Sequence, residues 1–323
     1  MTRSQNIVRN VLSVLTVVAA MLLIWTAAVI PMNIHEALTQ AEREGIAVTP
    51  ATAAERRGSS ALSLVLANPA LIPLTYAQPR PKLPSPAQVV LEFYDSAIAE
   101  ELDGRRGLVR SGSLSPAGLA LHTLKTIETT LLGFALGAVV GVALAVGIVY
   151  ARTMDLAVMP WAIISQTIPI VALAPMIVLI LSSLGVTGLV PRAIIAAYLS
   201  FFPVLVGMVK GLRAPDHMQL DLMRTYSATK AQSFWMLRLP MAMPYLFASL
   251  KIAIAGALVG AIVSELSTSS TQGLGARMLQ GSYYGQTVQI WAALLAAALL
   301  AAVMVAVVGA ADRVVRRMMG GLA

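Results

Sequence analysis

Few side chains in this 323-residue chain are equipped for chemistry, and the most conspicuous sit in apolar surroundings. Glu265 lies near the end of a long apolar run, where a carboxylate is a candidate for solute contact or for a hydrated structural role at the interface. Gln166 stands beside Pro169 in another apolar run; its amide is a candidate partner for a passing solute or for carbonyls that the proline frees. The chain has no cysteine, which excludes disulfides, thiolate metal sites and cysteine nucleophiles. Its three histidines, His35, His122 and His217, are too far apart for metal-ligand spacing and read as surface or interfacial residues. The glycine-rich stretch Ser267 to Gly285 carries no Lys-Ser/Thr pair, so it is no nucleotide cradle and reads instead as an outer gate or docking surface. Tyr283 and Tyr284 within it suit a membrane interface.

What must position these groups is a membrane bundle. Hydrophobic residues make up 58% of the chain and charged residues 12%, far from the balance of a soluble domain. Aromatics at 6% suit closely packed helices better than a barrel with aromatic girdles. The expected fold is all-α, with about six transmembrane helices over residues 11–31, 127–150, 158–184, 193–209, 242–266 and 288–311. The first run is long enough for a retained span and too long for the apolar core of a signal peptide. Residues 1–32 are then an N-terminal transmembrane helix, 33–123 an outer segment with a peripheral helix, and 124–323 a core of five spans. Within the outer segment the first half reads as partly flexible. A helix is expected from Pro86, with Val89, Val90, Phe93 and Ile98 as its apolar face.

Charge sets orientation and removes one class of partner. The net charge of +8 comes from dispersed Lys and Arg flanking apolar runs, which argues for membrane lipid and against nucleic acid. With the N-terminus inside, Arg152, the Lys210 to Arg238 segment, Arg313, Arg316 and Arg317 all fall in the cytoplasm, so the expected topology is N-in and C-in. Gly133, Gly137 and Gly141 share one helix face and read as a packing stripe. Pro160, Pro169 and Pro175 predict a bent third span.

Between two spans lies a polar segment, Asp216 to Pro240. Asp216 is suited to cap a first short helix, and Ser227 or Thr229 a second, with a sharp bend between them and Pro240 and Pro244 bounding the far side. Such a pair fits partner docking and a resting place on the membrane surface equally well.

The spacing of this segment resembles the cytoplasmic signature loop of ABC importer permeases. Asp221 stands at the position of the family's opening Glu, Leu222 and Met223 at its Ala-Ala, Ser227 at its glycine, and Leu237-Arg-Leu-Pro240 closes the motif. Leu83-Pro-Ser-Pro-Ala-Gln-Val89, Ser165-Gln-Thr-Ile-Pro-Ile-Val-Ala-Leu-Ala-Pro175 and the run from Leu239 to Ala253 are similar to the nitrate, sulfonate, taurine and pyrimidine-precursor branch. The resemblance covers roughly residues 82–318; the segment before Arg80 is longer than family members usually have.

This resemblance implies a non-enzymatic permease subunit of the bacterial inner membrane, a homodimer that imports a sulfonate, nitrate or pyrimidine/thiamine-precursor-like solute. It further implies separate ABC ATPase subunits that bind the ATP, no cofactor or metal on this chain, and a periplasmic or tethered solute-binding protein. Tyr226, Ala228 and Phe234, with Asp221, Leu222, Met223, Ser227, Leu239 and Pro240, would form the coupling loop. Gln166, Pro169 and Glu265 would be the pathway candidates. Serine at the glycine position puts the bend in question, because a left-handed backbone costs a residue with a Cβ more. Two other readings make different demands. An ion-gradient transporter or channel would need charged or broken-helix ion sites near mid-membrane, and a scaffold would need only the outer segment.

Overall fold

The computed structural model describes residues 3–97, 101–102, 105–106, 118–268 and 271–319. Two compact units emerge, residues 1–112 with 278–295 and residues 113–277 with 296–323.

The first unit is organised on α1, Arg3–Arg43, a helix of 41 residues. The apolar run was expected to end at Pro31, yet the helix passes through that proline and continues for three more turns. Its later residues keep a helical apolar period after the hydropathy has fallen: Ile34, Leu38 and Ala41 are buried and pack on Leu64 and Leu71. Position 32 is therefore no structural boundary. The helix's C-terminal part is the support on which the segment that follows packs.

Against it lie α2 (Ala53–Gly58) and α3 (Ala61–Ala67), capped by Thr52 and Ser60, and then α4 (Ile72–Tyr76) after a single tight turn at Pro69–Leu71. Two buried asparagines tie these short pieces down. Asn33 donates to the carbonyls of Thr75 at 3.0 Å and Leu83 at 2.8 Å and accepts the Leu83 N–H at 3.1 Å. Asn68 bonds both backbone groups of Thr49. The region expected to be partly flexible is thus a capped and hydrogen-bonded structure.

The helix expected from Pro86 is α5, Pro86–Ala97. Val89 is buried, but Val90 is 57% exposed, so the inward face runs Val89, Phe93 and Ser96. Ile98 lies outside the described residues. A two-residue antiparallel ladder, Glu101–Leu102 with Arg105–Arg106, follows. Elsewhere in this unit Trp25 packs at a tilt of 35° against Trp291, ring centroids 4.9 Å apart, and Thr287 donates to the Pro81 carbonyl at 2.6 Å.

The second unit is built on three long helices: α6 (Leu119–Tyr150), α9 (Leu189–Leu212) and α12 (Leu239–Ser267). Between the first two lie α7 (Arg152–Ser165) and α8 (Ile170–Ser183), and between the last two α10 (His217–Thr225) and α11 (Lys230–Ser233). The chain closes with α13 (Leu274–Tyr283) and α14 (Thr287–Met318).

Small residues let the three long helices touch backbone to backbone. A Cβ on Gly137 would fall 2.0 Å from Ser200 Oγ, one on Gly133 2.3 Å from Ala196 Cβ, and one on Gly141 2.7 Å from the Phe201 carbonyl oxygen. The stripe read from sequence as packing is the seam between α6 and α9. On the other flank of α9, Gly260 would meet the Ala196 Cα at 2.7 Å and Gly211 the Ala242 Cα at 2.8 Å. In lipid, where apolar burial gives little association energy, such close contact is what holds helices together.

Among the described residues, five helices are long and apolar enough to cross a membrane, and a sixth span is counted if α7 and α8 are taken as one bent pair. That pair turns by 104° at its break. The bent third span is therefore two half-length helices, with Pro169 at the start of the second; Pro160 and Pro175 sit inside helices without interrupting them.

Candidate functional site

The polar segment forms a hydrogen-bonded elbow. Asp216 caps α10 through the Gln219 N–H at 2.8 Å, and the Gln219 side chain returns the bond to the Asp216 N–H at 3.1 Å. Thr229 and Gln232 repeat the same reciprocal pair at the start of α11. Such boxes satisfy donors that a helix start leaves orphaned.

Between the helices the chain closes a left-handed turn. The Ala228 N–H reaches the Met223 carbonyl at 3.0 Å, and the Ser227 N–H reaches that of Arg224 at 2.8 Å. Ser227 has φ +53°, the one non-glycine residue with positive φ among the described residues. This is the helix-ending turn that normally favours glycine at that position. Serine at the glycine position has not abolished the bend. It adopts the left-handed conformation itself, at a cost on the order of 1–2 kcal/mol.

Beyond the elbow the expected helix boundary at Pro240 and Pro244 is absent. From Lys230 the helix runs on to Ser267, 38 residues in all. Proline has no N–H to donate, and the helix accommodates this with a widened turn over Phe234–Arg238, where the Leu239 N–H bonds back five residues to Phe234.

Exposure within the elbow divides its side chains. Met218, Leu222, Tyr226, Trp235 and Met236 are exposed, between 56% and 80%. Met223 and Ala228 are half-buried at the turn, Asp221 is exposed and pairs with Arg224 at 3.0 Å, and Leu239 and Pro240 are half-buried. Phe234 is half-buried too: it packs on the cluster around Phe201, Leu205 and Met208, with its ring 6.1 Å from that of Tyr150. It therefore faces the bundle, whereas Trp235 beside it faces out.

One charged contact ties the elbow to α9, and a second ties the residue that caps the end of α9 to α7. Arg238 donates to the carbonyl of Leu212, the last residue of α9, at 2.8 Å, and Arg213 pairs with Asp155 of α7 at 2.8 Å. Arg238 also lies over the Tyr150 ring, and Lys210 over that of Tyr245.

At the break between α7 and α8, Gln166 is half-buried and its amide nitrogen is 3.5 Å from Ser165 Oγ. The freed carbonyl of Ser165 is taken by the Tyr198 hydroxyl of α9, not by Gln166. Pro169 is exposed and begins α8.

Glu265 is fully buried, and its carboxylate is already occupied. The Thr126 hydroxyl spans its two oxygens at 2.9 and 3.0 Å, and the Gly275 N–H reaches Oε2 at 2.9 Å. Thr126 in turn accepts the Leu274 N–H at 2.9 Å, while His122 Nδ1 accepts that of Gly273 at 3.0 Å. The loop lies so close over the carboxylate that a Cβ on Gly273, at φ +122°, would be 2.2 Å from Glu265 Cδ. His122, read from sequence as a surface or interfacial residue, is buried because this loop folds over it. Its role was hidden because its partner is a backbone N–H 151 positions away, which leaves no mark in local spacing.

Residues 137–320 match the family model for the binding-protein-dependent transport system inner membrane component. The chain belongs to this family. A probable ABC transporter permease of Haemophilus influenzae is 32% identical over 174 residues, 54% of this chain and 69% of that protein. The formylaminopyrimidine transport permease ThiX of Halalkalibacterium halodurans is 32% identical over 198 residues, 60% and 68% of the two chains. The riboflavin transport permease RibX of Chloroflexus aurantiacus is 28% identical over 235 residues, 73% and 80%. The chain is thus a multi-pass inner-membrane permease subunit of an ABC importer for a small solute.

For this permease the elbow was legible through its caps and spacing, since both are local. The exposed Met218, Trp235 and Met236 were not singled out, because amphipathic phase alone does not say which apolar residue a widened turn rotates outward.

Proposed function

We propose that the elbow from Asp216 to Pro240 is the element through which this permease meets its ATPase subunits. The observation that carries this is the left-handed turn at Ser227, which holds Leu222 and Tyr226 exposed at the tip of two mutually capped helices. A preformed apolar tip of this kind is suited to a groove in a protein partner, since its shape is fixed before contact. Asp221 and Arg224 flank the tip and orient it, while Met223, Ala228, Phe234, Leu239 and Pro240 form its support.

Membership of the family supports the rest of the reading. The termini lie in the cytoplasm, two copies of the chain enclose the pathway, and the outer segment, residues 33–123, faces the periplasm. A periplasmic or tethered binding protein delivers the solute, a small heterocycle by analogy with the formylaminopyrimidine and riboflavin permeases. This chain carries no catalytic residues and no cofactor, and ATP is bound by the partners. Gln166 and Pro169, at the break between α7 and α8, border the pathway. Glu265 acts by holding the outer loop.

The test is uptake into vesicles holding the permease, its ATPase and its binding protein. ATP-dependent uptake that persists after ion gradients are collapsed, and that is lost in Tyr226→Asp, supports the reading. Uptake abolished by an ionophore and indifferent to ATP sinks it in favour of an ion-gradient transporter.

A further inference from the structure

Helix α5 turns an apolar side outward. Its exposed residues are Ala87, Val90, Leu91 and Tyr94, the last three at 57%, 61% and 52%. At 3.6 residues per turn all four fall within one arc of about 100°. None of them carries a charge or an amide.

The polar residues of α5 turn the other way. Gln88 accepts the Ser85 N–H at 2.9 Å and donates to the Gln78 carbonyl at 3.0 Å. With Glu92 and Asp95 it lines a cleft of about 410 Å³, whose other walls include Gln78, Arg80 and Gln289. Leu91 stands at the edge of that cleft, where the two sides of the helix meet. A helix on a water-washed surface shows the reverse order, with apolar residues inward and polar residues outward.

Where α5 is hung says what lies against the outward arc. The carbonyl of Pro84, two residues before the helix, accepts the Trp25 indole N–H at 3.0 Å. Trp25 follows directly on Leu22, Leu23 and Ile24, exposed side chains of a helix long and apolar enough to cross the membrane. These three face acyl chains, and Trp25 closes the lipid-facing stretch. The Tyr76 hydroxyl donates to the carbonyl of the next residue, Thr26, at 3.0 Å, so an indole and a phenol mark one level. Side chains with an apolar body and a polar tip collect at the membrane boundary. The start of α5 is thus fixed at that boundary, and its exposed arc begins at its second residue.

We propose that α5 lies in the interface of the lipid bilayer, with Val90 and Tyr94 sunk at the junction of headgroups and acyl chains and the cleft of Glu92 and Asp95 turned away from it. At twelve residues, about 18 Å, the helix is too short to cross. The arc continues the lipid-facing surface of α1, in whichever leaflet that end of α1 lies.

The chain has no cysteine, so a single introduced one can carry a dye. Val90→Cys, Tyr94→Cys, Asp95→Cys and, on α2, Arg57→Cys are each labelled with the fluorophore NBD in the full chain, in phosphatidylcholine nanodiscs. One quencher is phosphatidylcholine brominated near the top of its acyl chains; the other is acrylamide in the water. Lipid quenching at the two arc positions is expected to exceed that at Asp95→Cys and Arg57→Cys by at least about threefold, with acrylamide quenching in the reverse order. None of the four positions is buried, so melting transitions near the parent are expected, and Ala87→Cys replaces an arc variant that fails to fold.

Acrylamide quenching at the arc equal to that at Arg57→Cys, without lipid quenching, overturns the proposal by showing water there. Shielding of the arc from both quenchers overturns it as well, because protein then covers the arc, and a dimeric mass in the same discs would identify a second copy of this chain as the cover.

Discussion

Thr126 and Glu265, 139 positions apart, are joined by one hydroxyl lying 2.9 and 3.0 Å from the two carboxylate oxygens. The same oxygen of Thr126 accepts the Leu274 N–H, so a single side chain links α6, α12 and the start of α13. Thr126→Val keeps the shape and removes both bonds. The expected loss is about 1–3 kcal/mol, read as a lower melting temperature and faster proteolysis next to Gly273, with Thr126→Ser close to the parent. Equal melting and equal proteolysis of the valine variant would refute the lock.

The positive φ of Ser227 makes a prediction of opposite sign. Ser227→Gly relieves the left-handed strain and is expected to stabilise the elbow by roughly 1 kcal/mol and to leave ATP-driven uptake at or above the parent level. Ser227→Val, branched at Cβ, should lower uptake. A valine variant that transports normally would show that the turn is not needed.

Neighbours Phe234 and Trp235 should fail in different ways. Trp235→Asp changes an exposed position, so the melting temperature stays near the parent while co-purification of the ATPase falls. Phe234→Asp puts a carboxylate against the cluster beneath the elbow and should cost about 3 kcal/mol of stability. If both variants stay fully folded and lose the ATPase equally, the assignment of inward and outward faces is wrong.

The seam between α6 and α9 has no room at Gly137. Gly137→Ala should destabilise the bundle by about 1–3 kcal/mol through overpacking. Adding Ser200→Ala removes the atom the new methyl strikes, and thermal melting should then recover in part. An additive loss in the double variant would place the clash elsewhere.

How much of this was legible in the sequence depends on how far apart the interacting groups lie. Asp216 was readable as a cap from its type and place, and Thr229 as one of two candidates with Ser227; their reciprocal partners Gln219 and Gln232, three residues on, came only with the structure. Gly133, Gly137 and Gly141 announced a close seam because a four-residue period is itself a geometric statement. Pro31 and Pro240 misled because proline's effect depends on what satisfies its neighbours: buried Ile34 and Leu38 sustain the helix after the first, and a widened turn admits the second. The Glu265 lock was invisible beyond the presence of the acid, since its donors are one distant threonine and the backbone of a returning loop.

The helix from Lys230 to Ser267 begins within the elbow and carries Glu265 near its far end. At about 1.5 Å per residue it is a rod of roughly 57 Å, with a single compliant joint, the widened turn at Phe234–Arg238. A lever with its joint so near one end behaves asymmetrically. Arg238, which donates to the Leu212 carbonyl, lies within that joint and ties it to α9, so the one compliant turn of the rod is also the turn fastened to a neighbouring helix.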